Sequence, residues 1–160
     1  MSVAFQKEES AEAASETVLP ARPVSPHINL VTERGLGLLQ EALAQAQAAL
    51  ETANALEDVN ERRRQSAVPM RDARYFAERI RTAQPQPVPA SNAVVAFGHT
   101  VRFERDDGRV QSFRIVGEDE ADPARGTISH ASPVALAILG KSVGDLTQAG
   151  PREIEILSID

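Results

Sequence analysis

The sequence predicts an α+β protein, in which an antiparallel helical hairpin is followed by a small domain of strands and one short helix. Three observations carry this. Apolar residues Leu36, Leu39, Leu43, Ala46, Leu50 and Ala53 recur at alternating spacings of three and four, which places them on one helix face. A second series, Ala73, Phe76, Ile80 and Ala83, follows a polar stretch and has the same period. Beyond a proline-rich segment the period falls to two, as Val101 and Phe103 alternate with Arg102 and Glu104.

Length and composition bound the function. A chain of 160 residues, 42% hydrophobic and 25% charged, has room for one ordinary domain or two small ones. Aromatic residues are only 4% and Trp is absent, so base-stacking platforms are not expected. The formal charge of -6 argues against free duplex DNA as the partner, because DNA affinity comes mainly from Lys and Arg at phosphates. No sequence-specific DNA binding is expected, and a protein with a basic surface fits better. Without cysteine there is no disulfide framework and no Cys-based zinc site. No run of apolar residues suits a signal peptide or a membrane span, so the cytoplasm is the expected compartment and no membrane partner is expected.

Each element has a local reason. Residues 1–27 are polar, with Glu8, Glu9, Glu12 and Glu16 followed by Pro20, Pro23 and Pro26, and are expected to form a disordered tail. Residues 28–84 are expected to form the hairpin, a short coiled coil. Thr32 is placed to cap the first helix, while Gly35 and Gly37 predict fraying of its first turn. The second helix is expected to start between Ser66 and Pro69, because proline lacks an amide and clashes one turn back. The first helix would then run about 25 residues, or roughly 38 Å, and the second about 17, or roughly 26 Å. Residues 85–92 read as a stiff proline-rich linker.

In residues 93–160, Asp106-Asp107-Gly108 predicts a hairpin turn and Val110 to Val116 the returning strand. Ser132 caps a short apolar helix with Pro133 at its first position, and Gly140 ends it. Ile154, Ile156 and Ile159 mark a last strand. A core this small lies near the lower limit for independent folding.

At this point the residues resemble a known pattern. The run from Phe113 through Gly117-Glu118-Asp119-Glu120-Ala121-Asp122 is similar to the strand and acidic loop of the bacterial Gre transcript-cleavage factors, GreA and GreB. So are Ile128-Ser129, the run Ser132 to Lys141, Val143-Gly144-Asp145 and the closing Glu153 to Leu157, all in the family's order. Thr32, Gly35 and Leu39 resemble its opening pattern, and Tyr75-Phe76 with Arg79-Ile80 part of its returning helix. The resemblance implies an FKBP-like C-terminal domain docking on RNA polymerase at the rim of the secondary channel, with the hairpin reaching down that channel. It places Ser132 and Pro133 in the loop that helps contact the polymerase.

The resemblance also gives the hairpin tip a role. Asp58-Val59-Asn60-Glu61 has the spacing of the family's two tip carboxylates, which makes Asp58 and Glu61 the candidate catalytic and metal-ligating pair. With polymerase carboxylates they would hold a shared Mg²⁺, which lowers the pKa of a bound water and generates the nucleophile that cuts backtracked RNA. The chain would then have no cofactor of its own and would be an accessory factor, not an enzyme. Its partners would be the polymerase and the nascent RNA.

The tip departs from the pattern in three ways. Arg62-Arg63-Arg64 follows the acids, where those guanidinium groups could pair with the acids or contact RNA phosphate. Pro69 alters the returning helix, and each arm reads shorter than the family's by something like two turns, roughly 11 Å. A non-cleaving regulator that occupies the channel is therefore an alternative function, and an FKBP-like module with another partner is a third. His27, His99 and His130 have no metal-ligand spacing, and His99 reads as a loop or edge residue. The acidic loop resembles a calcium loop in composition only.

Overall fold

The computed structural model describes residues 19–160, so most of the expected tail, residues 1–18, lies outside the described residues. The chain divides into two compact units. Among the described residues, one contains 19–25 with Leu39–Arg81, and the other Pro26–Leu38 with Thr82–Asp160.

In the first unit, helix α1 (Glu33–Asn54) from Leu39 onward and helix α2 (Val59–Thr82) up to Arg81 supply the two arms of the hairpin. The first apolar series is the inward face of α1: Leu39, Ala46 and Ala53 are buried, and Leu43 and Leu50 half-buried. On α2 the second series is half-buried at Ala73, Phe76 and Ile80, and Ser66 extends its inward face by two turns. The arm lengths differ from the expected ones: 22 residues in α1 and 24 in α2, roughly 33 and 36 Å. Helix α2 starts at Val59, not between Ser66 and Pro69, and Pro69 lies in its interior. The physical reason is the segment Glu61 to Val68, which is rich in good helix formers and sits behind an acidic cap; together these carry the helix through the proline. Residues 19–25, expected in the tail, are described, and Arg22 lies over Tyr75 at 3.9 Å from the ring centroid and pairs with Asp72 at 3.4 Å.

The second unit begins at the root of α1. Strand β1 (Leu30–Val31) pairs in parallel with β2 (Gln84–Pro85), so the end of the expected hairpin and the first residue of the expected linker are part of a small sheet. The amides of Gln84 and Gln86 donate to the carbonyls of Asn29 and Val31 at 2.8 and 2.9 Å. Thr32 caps α1 as expected, its hydroxyl accepting from the Gly35 amide at 2.9 Å. The helix is unbroken through Gly35 and Gly37, where fraying was expected.

The rest of the unit is a five-stranded sheet in the order β5-β4-β3-β7-β6, made of β3 (Thr100–Arg105), β4 (Val110–Val116), β5 (Thr127–Ser129), β6 (Leu146–Ala149) and β7 (Arg152–Ile159). Only β4 and β5 run parallel, linked through the acidic loop and a 3-10 turn at Pro123–Arg125. Helix α3 (Pro133–Ile138) contributes Ala135 and Ile138 to a core that also holds Val101, Phe103, Ile115, Ile128, Ile154, Ile156 and Ile159. The change of parity from Ile156 to Ile159 is a β-bulge: Val101 pairs Ile159 and Phe103 pairs Ile156, which leaves Leu157 as the extra residue. This is the α+β architecture the sequence predicts, a helical hairpin followed by a small sheet domain.

Candidate functional site

The tip joins α1 to α2 through residues 55–58. Asp58 is the N-cap of α2: its Oδ1 accepts from the Glu61 amide at 2.8 Å, and its carbonyl accepts from the Arg62 amide at 2.9 Å. The spacing that suggests a metal pair is therefore also that of an acidic cap with Glu at the third helical position. The Glu61 carboxylate turns along the helix, accepting from Gln65 Nε2 at 2.9 Å and pairing with Arg64. Those contacts, with the Gln65 hydrogen bond the largest, hold its carboxyl below the ordinary glutamate range; the Asp58 charge opposes the shift.

The three arginines have separate surroundings. Arg62 turns back over the loop, its Nε donating to the Leu56 carbonyl at 2.9 Å and Nη2 to the Glu57 carbonyl at 3.3 Å. The last turn of α1 contains no basic residue, so Arg62 supplies the positive charge next to its carbonyl end from the neighbouring helix. Arg64 is held by Glu61, and Arg63 is the exposed cation of the three with no ion pair among the described residues. Asp58 and Glu61 are thus near each other in sequence but engaged in different directions, one on the helix amides and one on side chains a turn further along. Among the described residues no group of three or more His, Asp or Glu side chains is placed to hold a metal ion.

The second candidate lies on α3. Ser132 is its N-cap, with extended backbone (φ -68°, ψ 153°) and a side chain that accepts from the Ala135 amide at 3.3 Å; Pro133 follows at the first helical position. Pro133 is exposed, and so is Leu136 at 63%, three residues on along the same helix. The sequence shows Val134 to Leu139 as a continuous apolar run, but only Ala135 and Ile138 are fully buried. The outward Leu136 is a feature that sequence reasoning missed, and the i, i+3 spacing from Pro133 could have found it.

The remaining candidates have internal roles. His99 lies in the loop that leads into β3 and is buried, its Nδ1 accepting from the Ala96 amide at 2.9 Å. In the acidic loop Asp122 caps the 3-10 turn by accepting from the Ala124 amide at 3.2 Å. Among the described residues no helix is long and apolar enough to cross a membrane.

Comparison with known proteins covers the second unit best. Residues 90–160 match the family model described as "Transcription elongation factor, GreA/GreB, C-term". The chain is 44% identical over 75 residues to the transcription elongation factor GreA of Bacillus licheniformis, covering 44% of this chain and 48% of that protein. It is 49% identical over 70 residues to GreA of Solidesulfovibrio magneticus, covering 41% and 43%. The matched segment thus spans less than half the length of these relatives. Among solved structures, GreA factor homolog 1 of Thermus thermophilus aligns with 84% of this chain and 99% of its own at 22% identity and a TM-score of 0.39. Over residues 90–160 the chain is therefore similar to the C-terminal domain of the GreA/GreB transcription elongation factors.

Proposed function

We propose that this protein is a transcription elongation regulator that docks on RNA polymerase through residues 90–160 and occupies the secondary channel without supplying a cleavage metal. The family match over the second unit supports docking, with Ser132, Pro133 and Leu136 as the contact face on α3. The observation that carries the non-cleaving reading is the state of the tip acids: Asp58 caps α2 and Glu61 is held by Gln65 and Arg64. A shared Mg²⁺ would have to bind Asp58 through the oxygen its cap contact leaves open, with Arg63 and Arg64 exposed close by. The tip acts by occupation, and Arg63 is the side chain left to contact RNA phosphate.

The test is RNA polymerase halted and backtracked on a defined template. Added protein is expected to bind and to slow nucleotide addition, with no release of short 3′ RNA above the polymerase's own rate. The cleavage-stimulating reading remains the second one, because the acid pair has the required spacing. It wins if 3′ RNA release rises with added protein and is lost on Asp58→Ala and Glu61→Ala. If the polymerase is not bound at all, the partner is another protein.

A further inference from the structure

We infer that Glu120 is a positioning residue that locks the root of α1 into the docking unit. The inference rests on the proposed function for what the root serves, but its geometry stands alone. The Glu120 side chain is 3% exposed, although it belongs to a loop rich in acids. It accepts from the Thr32 hydroxyl, and Arg34 Nη1 lies 3.4 Å from its other oxygen. Thr32 is the cap of α1, so a continuous chain of hydrogen bonds runs from Glu120 through the Thr32 hydroxyl to the Gly35 amide. A hydroxyl has one proton: with it committed to the carboxylate, its lone pairs must face the helix amides. The carboxylate also places negative charge at the helix N-terminus, where unpaired amides favour it.

The backbone is shaped to admit this contact. A Cβ at Gly35 would stand 2.7 Å from Glu120 Oε2, so the carboxylate fills the space that a side chain would take. A Cβ at Gly117, where the loop starts, would stand 2.6 Å from the Leu30 carbonyl, so the loop packs directly on β1. The loop closes on itself through the amides of Glu120 and Ala121, which donate to the Gly117 carbonyl at 3.2 and 3.1 Å. Residues 26–38 are therefore held by β2, by Gly117 and by Glu120, with His27 Nδ1 also 3.2 Å from Glu118 Oε1 and Asn29 Nδ2 donating to the Thr82 hydroxyl at 3.2 Å. None of these contacts involves the tip or α3. The acidic loop serves as an internal anchor for the arm that continues into the hairpin, not as a cation site.

The experiment uses the full chain with Glu120→Ala, Glu120→Gln and Gly35→Ala. Amide hydrogen exchange is read at Gly35, Leu36 and Leu39 and at core amides of Phe103, Ile115 and Ile156. Glu120→Ala is expected to speed exchange at the root by about tenfold or more while the core is unchanged. Glu120→Gln, which can still accept from Thr32, recovers part of the protection, and Gly35→Ala matches Glu120→Ala despite its better helix propensity. With polymerase, Glu120→Ala keeps affinity within about threefold but loses most of the slowing of nucleotide addition, because docking survives and positioning does not. Unchanged root exchange overturns the inference, as does equal loss of protection in root and core. Affinity and slowing falling together would leave Glu120 as a fold stabiliser and also overturn it. Failure of the wild-type chain to bind polymerase sinks the proposed function alone, since the exchange result stands without it.

Discussion

Replacing Asp58 separates the two roles its carboxylate could have. As N-cap it accepts from the Glu61 amide at 2.8 Å, and serine in that position can do the same while alanine cannot. Losing a cap costs about 1 kcal/mol, within a range of roughly 0.5–2. With a urea slope of about 1–3 kcal/mol per M, that loss moves an unfolding midpoint down by roughly 0.3–1 M. Circular dichroism at 222 nm is the assay, since α1 and α2 hold most of the helix. Asp58→Ala is expected to show the full shift. Asp58→Ser should show less than half of it, the remainder being the charge lost near the helix N-terminus. If serine destabilises as much as alanine, or alanine has no effect, the capping argument is wrong. The same pair is informative with polymerase, because a metal-ligand role makes serine as damaging as alanine.

Three further outcomes follow from the geometry. The Glu61 carboxyl should titrate below the ordinary glutamate range by carbon NMR, and Arg64→Ala should move its midpoint back up. Because its folded pKa is depressed, its contribution to stability is present above the ordinary glutamate range and lost as pH falls through the folded value. Gly117→Ala forces a Cβ to 2.6 Å from the Leu30 carbonyl, and backbone cannot move aside cheaply; urea unfolding should show a loss of about 1–3 kcal/mol. Pro69→Ala restores an amide to the Gln65 carbonyl and removes a ring clash inside α2, which should stabilise the helix by up to about 3 kcal/mol in the same assay.

The fold was legible where its signal is local and periodic. The period-two pattern gave β3, the Ser132-Pro133 pair gave the start of α3, and the two heptad-like series gave the inward faces of both arms. The isoleucines at 154, 156 and 159 even held the bulge, since a strand with one buried face cannot change parity without an extra residue. The start of α2 was misread because proline was weighed as a boundary. A proline costs about 3 kcal/mol inside a helix, an amount that the helix formers among Glu61 to Val68 and a buried face can offset. The candidate site was half legible. Asp58-x-x-Glu61 is visible in the sequence, but its letters serve capping and metal binding equally, and the capping role shows only in the hydrogen bonds. The Glu120 anchor had no local signal, because its partner Thr32 is 88 residues away.

The tip argument finally turns on charge, because the individual contacts are weak. An exposed pair such as Glu61–Arg64 contributes little on its own, and a divalent ion of high charge density could displace it. What attracts such an ion is surplus negative charge, and residues 57–64 have none: Glu57, Asp58 and Glu61 face Arg62, Arg63 and Arg64. One of those arginines, Arg62, is fixed by carbonyls at the end of α1 and cannot leave without loosening the loop. A tip with that balance gains little from a cation and little from a free phosphate. On the proposed function it would lie where both charges already line the walls, beside an active-site metal and its RNA, and act by filling space. The cap that shapes the tip and the cations that neutralise it would then belong to one design, in which the acids hold the helix and the polymerase keeps its own chemistry.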